Sequence, residues 1–361
     1  MKPIEHPSKW IDKNLVEGIR QRALEAEAMR QLHPCQLDII HKQNWLKMFV
    51  PREFGGLELP LSEVLKIEEA LAWVDGSTAW VVTLCAGAAW FVGFLDSTLA
   101  REIFADGNAF FAGSGAPTGT AEIISEGYLL NGNWKYASGS IHATVFTANC
   151  VVQKNGRPIA DESGVPMIRA FLIKQNEVVL HKTWNSMGMI ATGSHSFEVK
   201  NLKVSENRCF QIDPDKAVIN NPIFKYPFLQ LAESTLAVNL SGLTIRFIDL
   251  FEEMKMRNVN GDRSVSIKAV KQAKAKLANC RSQFSMAVNS SWQSGGKKKT
   301  IPKIELMNVS KMSQALAKQS RLLVDHLYPH CGLIATDTSQ EINRVWRNLH
   351  TAIQHSLFTR Q

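Results

Sequence analysis

Gly127-Tyr128-Leu129-Leu130-Asn131-Gly132-Asn133-Trp134-Lys135-Tyr136-Ala137-Ser138-Gly139-Ser140 is the stretch on which the fold turns. Aromatic and branched residues crowd around an Asn-Gly pair, which is the sequence signal of a tight β-hairpin, so a hairpin is expected at Asn131-Gly132. The same texture runs from about Asn108 to Phe210, with further strands expected over Val145–Val152, Ile168–Ile173 and Phe197–Val204. These residues define a β-domain of roughly 100 residues, a size typical of a single domain.

On either side the period changes to that of helices. Leu15, Ile19, Ala23, Ala26 and Met29 recur at spacings of three and four, predicting one helix over Leu15–Leu32 that His33-Pro34 ends. A short helix is expected over Cys35–Trp45. Next come a Pro/Gly turn at Val50–Leu57, an amphipathic helix over Leu61–Val74 with Ser62 as a candidate N-cap, and a more apolar helix over Thr78–Leu95. Beyond Pro222, long helices are expected over Phe228–Arg257, Ile267–Trp292, Leu306–Leu327 and Gln340–Leu357. Their breaks fall at Asn258–Gly261, Gln293–Gly296 and Pro329–Gly332. Short loops between long helices suggest an up-down four-helix bundle. The expected class is α+β: a helical domain over 1–107, a β-domain over 108–222 and a bundle over 223–361.

Composition narrows the function. Apolar residues make up 45% of the chain and charged ones 20%, which is globular. No apolar run reaches the roughly 18 residues of a membrane span, and MKPIEHPSKW lacks the apolar centre of a signal peptide. The six cysteines form no CxxC pair and no zinc-ligand spacing, so neither a disulfide framework nor a metal site is expected. These features point to a cytoplasmic protein without a membrane partner. The net charge of +8 is concentrated between Met254 and Val324, where 15 Lys and Arg face two acids, Asp262 and Glu305. Such a run is either a solvated helix face or an attractor for anionic ligands; without aromatic interleaving it does not suit nucleic acid.

Several motifs, in one order, carry a family resemblance. Val50-Pro51-Arg52-Glu53-Phe54-Gly55-Gly56-Leu57, then Pro117–Ala121 with Gly127–Gly132, then Trp184–Met189 with Thr192-Gly193-Ser194-His195, resemble the acyl-CoA dehydrogenase superfamily. The resemblance implies an N-terminal helical domain, a central β-barrel-like domain and a C-terminal four-helix bundle. It also implies a flavin (FMN or FAD) and a homotetramer. Three features resemble the flavin-dependent monooxygenase branch. Trp134-Lys135-Tyr136-Ala137-Ser138-Gly139-Ser140 with His142 is similar to its W-x-x-A-S-G-x-x-H element. There Ser138 would lie near flavin N5 and steady the peroxyflavin by hydrogen bonding, unless it is simply a turn serine bonding its own backbone. Arg344-Val345-Trp346-Arg347-Asn348 followed by His355 is similar to its last helix, although Asn348 stands where Asp is usual. His355, ahead of His350, is the candidate acid or base, since imidazole titrates near neutrality. Ser356-Leu357 occupies the place of the dehydrogenases' catalytic Glu-Gly. The Arg-x-x-Phe-Gly element that grips FAD pyrophosphate is degraded to Met256–Arg263.

The resemblance thus implies a reduced-flavin monooxygenase for a small aromatic substrate, supplied by a separate flavin reductase. Its catalytic residues would be His355, Ser138 and His142, with Ser114, Gly115, Tyr136, Ala137, Ser138, Trp184, Thr192 and Ser194 holding the cofactor. Trp184 is either a flavin wall or a plain core residue, and His142 either meets substrate or satisfies a backbone carbonyl. The rival readings are an FAD-dependent acyl-CoA dehydrogenase with its base on Glu233 or Glu252-Glu253, and a non-catalytic protein that keeps the fold. Gly113-Ser114-Gly115-Ala116-Pro117-Thr118-Gly119 imitates a dinucleotide fingerprint but lacks its βαβ setting.

Overall fold

The computed structural model describes residues 4–105, 107–160, 164–257, 263–297 and 300–359. The chain opens with α1 (Lys13–Arg20), α2 (Ala23–Met29), α3 (Pro34–Lys42), α4 (Leu61–Val74), α5 (Gly76–Ala89) and α6 (Ser97–Phe104). The single helix expected over Leu15–Leu32 is therefore two, parted at Gln21-Arg22, although its apolar stripe continues across the break. Pro34 opens a helix as well as closing the preceding segment. It occupies the first turn of α3, where its missing N–H costs nothing, and the His33 ring accepts the Cys35 N–H. Ser62 is not an N-cap: α4 starts at Leu61 behind Pro60, with no side-chain cap. The cap chemistry falls at α5, where Asp75 Oδ2 accepts both the Thr78 N–H at 2.8 Å and the Thr78 hydroxyl at 2.7 Å. With the short 3₁₀ turn that follows it, α5 spans Gly76–Phe94. By length and composition this segment could cross a membrane, and 89% of that window is buried inside the fold.

The middle of the chain forms β1 (Phe111–Ile124), β2 (Gly127–Ala137), β3 (Val145–Lys154), β4 (Arg157–Pro158), β5 (Ile168–Lys174), β6 (Val179–His181), β7 (His195–Val204) and β8 (Cys209–Phe210). They make one mixed sheet in the order β6-β7-β2-β1-β3-β5-β8, with β4 on β3. Among the described residues only β1 and β3 pair in parallel. The end strands β6 and β8 do not pair with each other, so the sheet is open.

The expected hairpin lies elsewhere. β1 and β2 turn at Ser125-Glu126, with Ile124 opposite Gly127, and Asn131-Gly132 sits mid-strand. Packing decides this over the Asn-Gly turn preference. A Cβ on Gly132 would lie 2.7 Å from Gly119 Cα and 2.6 Å from the Trp134 ring, and one on Gly119 would lie 2.1 Å from that ring. Both glycines are small because fully buried Trp134 fills the space between them. Its indole N–H bonds the Asn149 carbonyl at 2.9 Å and its ring stacks on Phe197. Gly113–Gly119 therefore belongs to a strand with an irregular register at Ser114–Gly119, and opens no helix.

The remainder is helical: α7 (Pro222–Lys225), α8 (Phe228–Arg257), α9 (Arg263–Lys297), α10 (Lys303–Leu327), α11 (Glu341–Ala352) and α12 (Ser356–Thr359). The break expected at Gln293–Gly296 is absent, because α9 runs on to Lys297. Two glycines cost a helix about 1 kcal/mol each. Here the end is held by Ser294 and Ser290, whose hydroxyls donate to Glu305 of α10. The break expected at Asn258–Gly261 lies outside the described residues, as does part of the Met256–Arg263 element. The last segment, expected as one helix, stops at Ala352 and restarts at Ser356.

Helix α8 is the axis on which the parts meet. On one side it packs against α9, α10 and α11, on the other against α4. A Cβ on Gly242 would lie 2.3 Å from the Glu69 carbonyl oxygen, so glycine lets α4 and α8 approach closely. Trp90, Phe91 and Phe94 stack with Phe210, Phe224 and Phe228, joining all three regions in one aromatic cluster. The lysines of α9, Lys268, Lys271, Lys274 and Lys276, lie on its exposed face opposite buried Val270, Ala273 and Leu277. This is the solvated-face arrangement.

Candidate active site

The segment after β2 and the segment before β7 meet backbone to backbone. Tyr136 adopts φ +66°, a left-handed conformation that costs a bulky residue of order 1 kcal/mol. It marks a shift in the β2–β7 register between Trp134 and Ala137. Beyond it the Gly139 N–H donates to the Thr192 carbonyl at 2.8 Å, and the Ser140 hydroxyl donates to the Gly193 carbonyl at 2.8 Å. Gly139 takes φ +73° with its α-carbon face against α5, where a Cβ would lie 2.9 Å from Cys85 Sγ and from the Phe110 ring.

Between these segments runs a chain of buried hydroxyls. Ser138 Oγ lies 2.9 Å from Ser194 Oγ, and Ser194 Oγ lies 2.7 Å from Thr192 Oγ1. Thr192 Oγ1 donates to the Met189 carbonyl at 2.8 Å. That carbonyl takes two further donors, the Trp184 indole N–H at 2.9 Å and the Thr192 backbone N–H at 3.2 Å. Trp184 is also fixed by its backbone N–H, which donates to His195 Nδ1 at 3.0 Å, and its ring stands edge-on to Tyr136. Burial, with Lys182 and Arg30 adding to it, lowers the His195 pKa. The ring is therefore neutral at pH 7, with its proton on Nε2, the nitrogen that is not accepting.

The Met189 peptide is clamped from the opposite side. Its N–H donates to Asn348 Oδ1 at 2.6 Å. Neighbouring Gly188 lies so close to α11 that a Cβ would be 2.1 Å from the Arg347 carbonyl oxygen. Arg347 donates to the Met187 carbonyl at 2.6 Å and to Glu27 of α2 at 2.8 Å, with Asn343 Oδ1 at 2.7 Å on its Nε. One guanidinium thus ties α2, α11 and the 187–194 loop together. Asn348 replaces the Asp of the sequence pattern without loss here, since its task is to accept a backbone proton. It does not orient a histidine.

The structure gathers Tyr136, Ala137, Ser138, Trp184, Thr192 and Ser194 into one bonded patch. Ser114 and Gly115 sit apart on β1, where the Gly115 carbonyl accepts Asn149 Nδ2 at 2.9 Å. His355, just past α11, packs edge-on against Trp80 with ring centres 6.0 Å apart. Ser138 and His355 share a neighbour in α5, since Cys85 Sγ reaches the Ser138 carbonyl at 3.5 Å and Trp80 reaches His355. Five residues of helix rise separate those two contacts, about 7.5 Å. His142 faces the other way, toward the Phe110 ring and His41. Burial pushes its pKa down to about 4, and its Nε2 has no hydrogen-bond partner among the described residues. His350 is held by Asp325 at 2.8 Å and the Trp346 carbonyl at 2.9 Å. Glu252 and Glu253 pair with Lys274 and Arg246. A separate cleft lined by Trp10, Lys66, Arg281 and Phe284 contains none of the sequence candidates.

Sequence reasoning missed Arg347 and Asn348 as clamps of this loop, and Arg30, which donates to the Trp184 carbonyl at 3.3 Å and to Asn185 Oδ1 at 2.7 Å. The available signal was Gly188 between two methionines, a glycine that close approach of another backbone requires.

The chain is similar to several known proteins. Residues 224–360 match the family described as acyl-CoA dehydrogenase, C-terminal domain. An indole-3-acetate monooxygenase from Pseudomonas putida is 28% identical over 288 residues, covering 77% of this chain and 72% of its own. The crystal structure of the HsaA monooxygenase from M. tuberculosis matches with a TM-score of 0.88 at 24% identity, over 96% of this chain and 91% of that one. XiaF from Streptomyces sp., solved with FADH2 and glycerol, matches with a TM-score of 0.83 at 20% identity, over 96% and 91%.

Proposed function

Because this chain belongs to the acyl-CoA dehydrogenase superfamily, we propose that it is a flavin-dependent monooxygenase that uses reduced flavin, FMN or FAD, on a small aromatic substrate. The carrying observation is the buried hydroxyl chain that ends on Ser138 beside the Trp184 indole. A flavin fits this donor set: an aromatic wall for a planar ring, and a buried hydroxyl bonded to Ser194 that keeps capacity for one more partner. Bound there, the reduced cofactor supplies the oxygen-activating chemistry. Ser138 would accept a hydrogen bond from the N5–H, Trp184 and Tyr136 would flank the ring, and Ala137, Thr192 and Ser194 would shape the floor, with Ser114 and Gly115 offering backbone to the rest of the cofactor. His355, packed on Trp80, gives or takes the substrate's proton, and His142 lies on the far side of the same segment. The reading is supported by the family's monooxygenases, one of which was solved with FADH2.

A reductase that delivers the flavin is the expected partner. We further propose that the open sheet behaves as the family's barrel-like unit and that α8–α11 act as its four-helix bundle. On this reading the domains part at 107/108 and 222/223, and the chain assembles as a cytoplasmic homotetramer.

The test is oxygen bookkeeping. With reduced flavin and a phenolic substrate panel, Ser138→Ala should divert most consumed oxygen to hydrogen peroxide, and His355→Ala should lower product formation about 100-fold or more. A Ser138→Ala enzyme as well coupled as the parent would count against the assignment.

A further inference from the structure

The hydroxyl chain has only one possible direction, and this has a consequence for which flavin it receives. Each hydroxyl owns one proton. Thr192 spends its proton on the Met189 carbonyl, which cannot donate in return. At 2.7 Å, Ser194 must therefore donate to Thr192, and at 2.9 Å Ser138 must donate to Ser194. The terminal carbonyl cannot turn away to release the order. It also accepts the Trp184 indole N–H, its peptide N–H is bonded to Asn348, and Gly188 beside it is pressed against the Arg347 carbonyl. Ser138 is left with its proton turned inward and only lone pairs to offer. Reversing the chain would leave the Thr192 hydroxyl oxygen and the Met189 carbonyl oxygen 2.8 Å apart with no proton between them.

We propose that Thr192 and Ser194 are positioning residues that fix Ser138 as an acceptor and so make the site select reduced over oxidised flavin. The inference rests on the reading that flavin docks at Ser138. Reduced flavin carries a proton at N5 and satisfies an acceptor. Oxidised flavin has a lone pair there and meets another lone pair. Redox selectivity would thus be set by the Thr192 hydroxyl, three hydrogen bonds removed from the cofactor, in a loop clamped by α11.

The experiment is an anaerobic titration of the purified full-length protein with FMN and FAD, each oxidised and dithionite-reduced, read by fluorescence. The parent should bind the reduced form at least about tenfold more tightly, the value of one neutral hydrogen bond (about 1.4 kcal/mol). In Thr192→Val the terminal donor is gone, and Ser194 is free to donate toward Ser138, whose proton then faces the pocket. Affinity for oxidised flavin should rise while affinity for reduced flavin falls, reducing the ratio about tenfold. Loss of packing alone would weaken both forms together. Thr192→Ser should restore the parent ratio. Ser194→Ala, which cuts the chain in the middle, should repeat the Thr192→Val result and serves if that variant does not fold. A parent that prefers reduced flavin, with an unchanged ratio in both cut variants, overturns the relay and leaves the flavin assignment standing. A parent that binds neither form overturns both.

Discussion

Two buried polar clusters in this protein were built to opposite specifications. In the 187–194 loop the hydroxyls of Ser194 and Thr192 are paired, the Met189 carbonyl takes three donors, and Arg347 is tied to Glu27, Asn343 and Met187. Some distance away, Glu68 of α4 is fully buried, and neither of its carboxyl oxygens meets a partner at good hydrogen-bond geometry among the described residues. Asn239 gives its amide protons to Thr83 and to the Thr235 carbonyl, and its own Oδ1 has no hydrogen-bond partner among the described residues. Burial pushes the Glu68 carboxyl up to about 8, and Thr83 only tempers the rise. The first cluster is rigid and directional. The second carries a latent charge that the fold does not accommodate. A satisfied network can hold a hydroxyl in one orientation for chemistry, whereas an unsatisfied one makes stability depend on pH.

The largest expected effect comes from breaking the satisfied cluster. Arg347→Met strands Glu27 and frees the Met187 carbonyl, and should cost about 3–5 kcal/mol in urea unfolding at pH 7, as removal of one partner of a buried pair does. A cost below about 1 kcal/mol would mean the clamp is ornamental.

Relieving the unsatisfied cluster should act in the opposite direction. The folded-state pKa of Glu68 lies above its ordinary value of 4.5. Its stabilising contribution is therefore complete below about 4.5 and is lost as pH rises toward about 8, at up to about 1.4 kcal/mol per pH unit. Glu68→Gln should match the parent near pH 5 and exceed it by roughly 2 kcal/mol or more at pH 8. Urea titrations at both pH values check this, and equal differences at the two would refute the buried charge.

A smaller effect sharpens the link between the loop and α11. Asn348→Leu leaves the Met189 N–H without its acceptor and should cost about 1–3 kcal/mol. It should also narrow the discrimination between reduced and oxidised flavin, because the terminal carbonyl loosens. An unchanged discrimination would detach α11 from the relay.

The order of textures, helical then β then helical, was legible from periodicity alone, and α8 occupies the expected Phe228–Arg257. Local signals failed where a distant residue outweighed them. Asn131-Gly132 looks like a turn, yet Trp134 and Gly119 require its glycine inside a strand. Gln293–Gly296 looks like a break, yet Glu305 of the next helix holds it helical. Helix α6, Ser97–Phe104, went unread because it is short and capped only by Asp96. The quoted motifs contained Ser138, Trp184, Thr192 and Ser194, while their bonding across more than fifty residues of chain had no sequence signal. The contact of Asn348 with Met189 was likewise invisible, because it spans 159 positions and depends on how α11 packs.

The account rests on Ser138 as an acceptor for reduced flavin, and the most direct measurement is the affinity of the parent protein for each redox form of FMN and FAD, followed by exposure of the reduced complex to oxygen with a phenolic substrate. The account predicts preferential binding of the reduced form and a hydroxylated product. Tight binding of oxidised FAD, bleached by an acyl-CoA thioester, would contradict it.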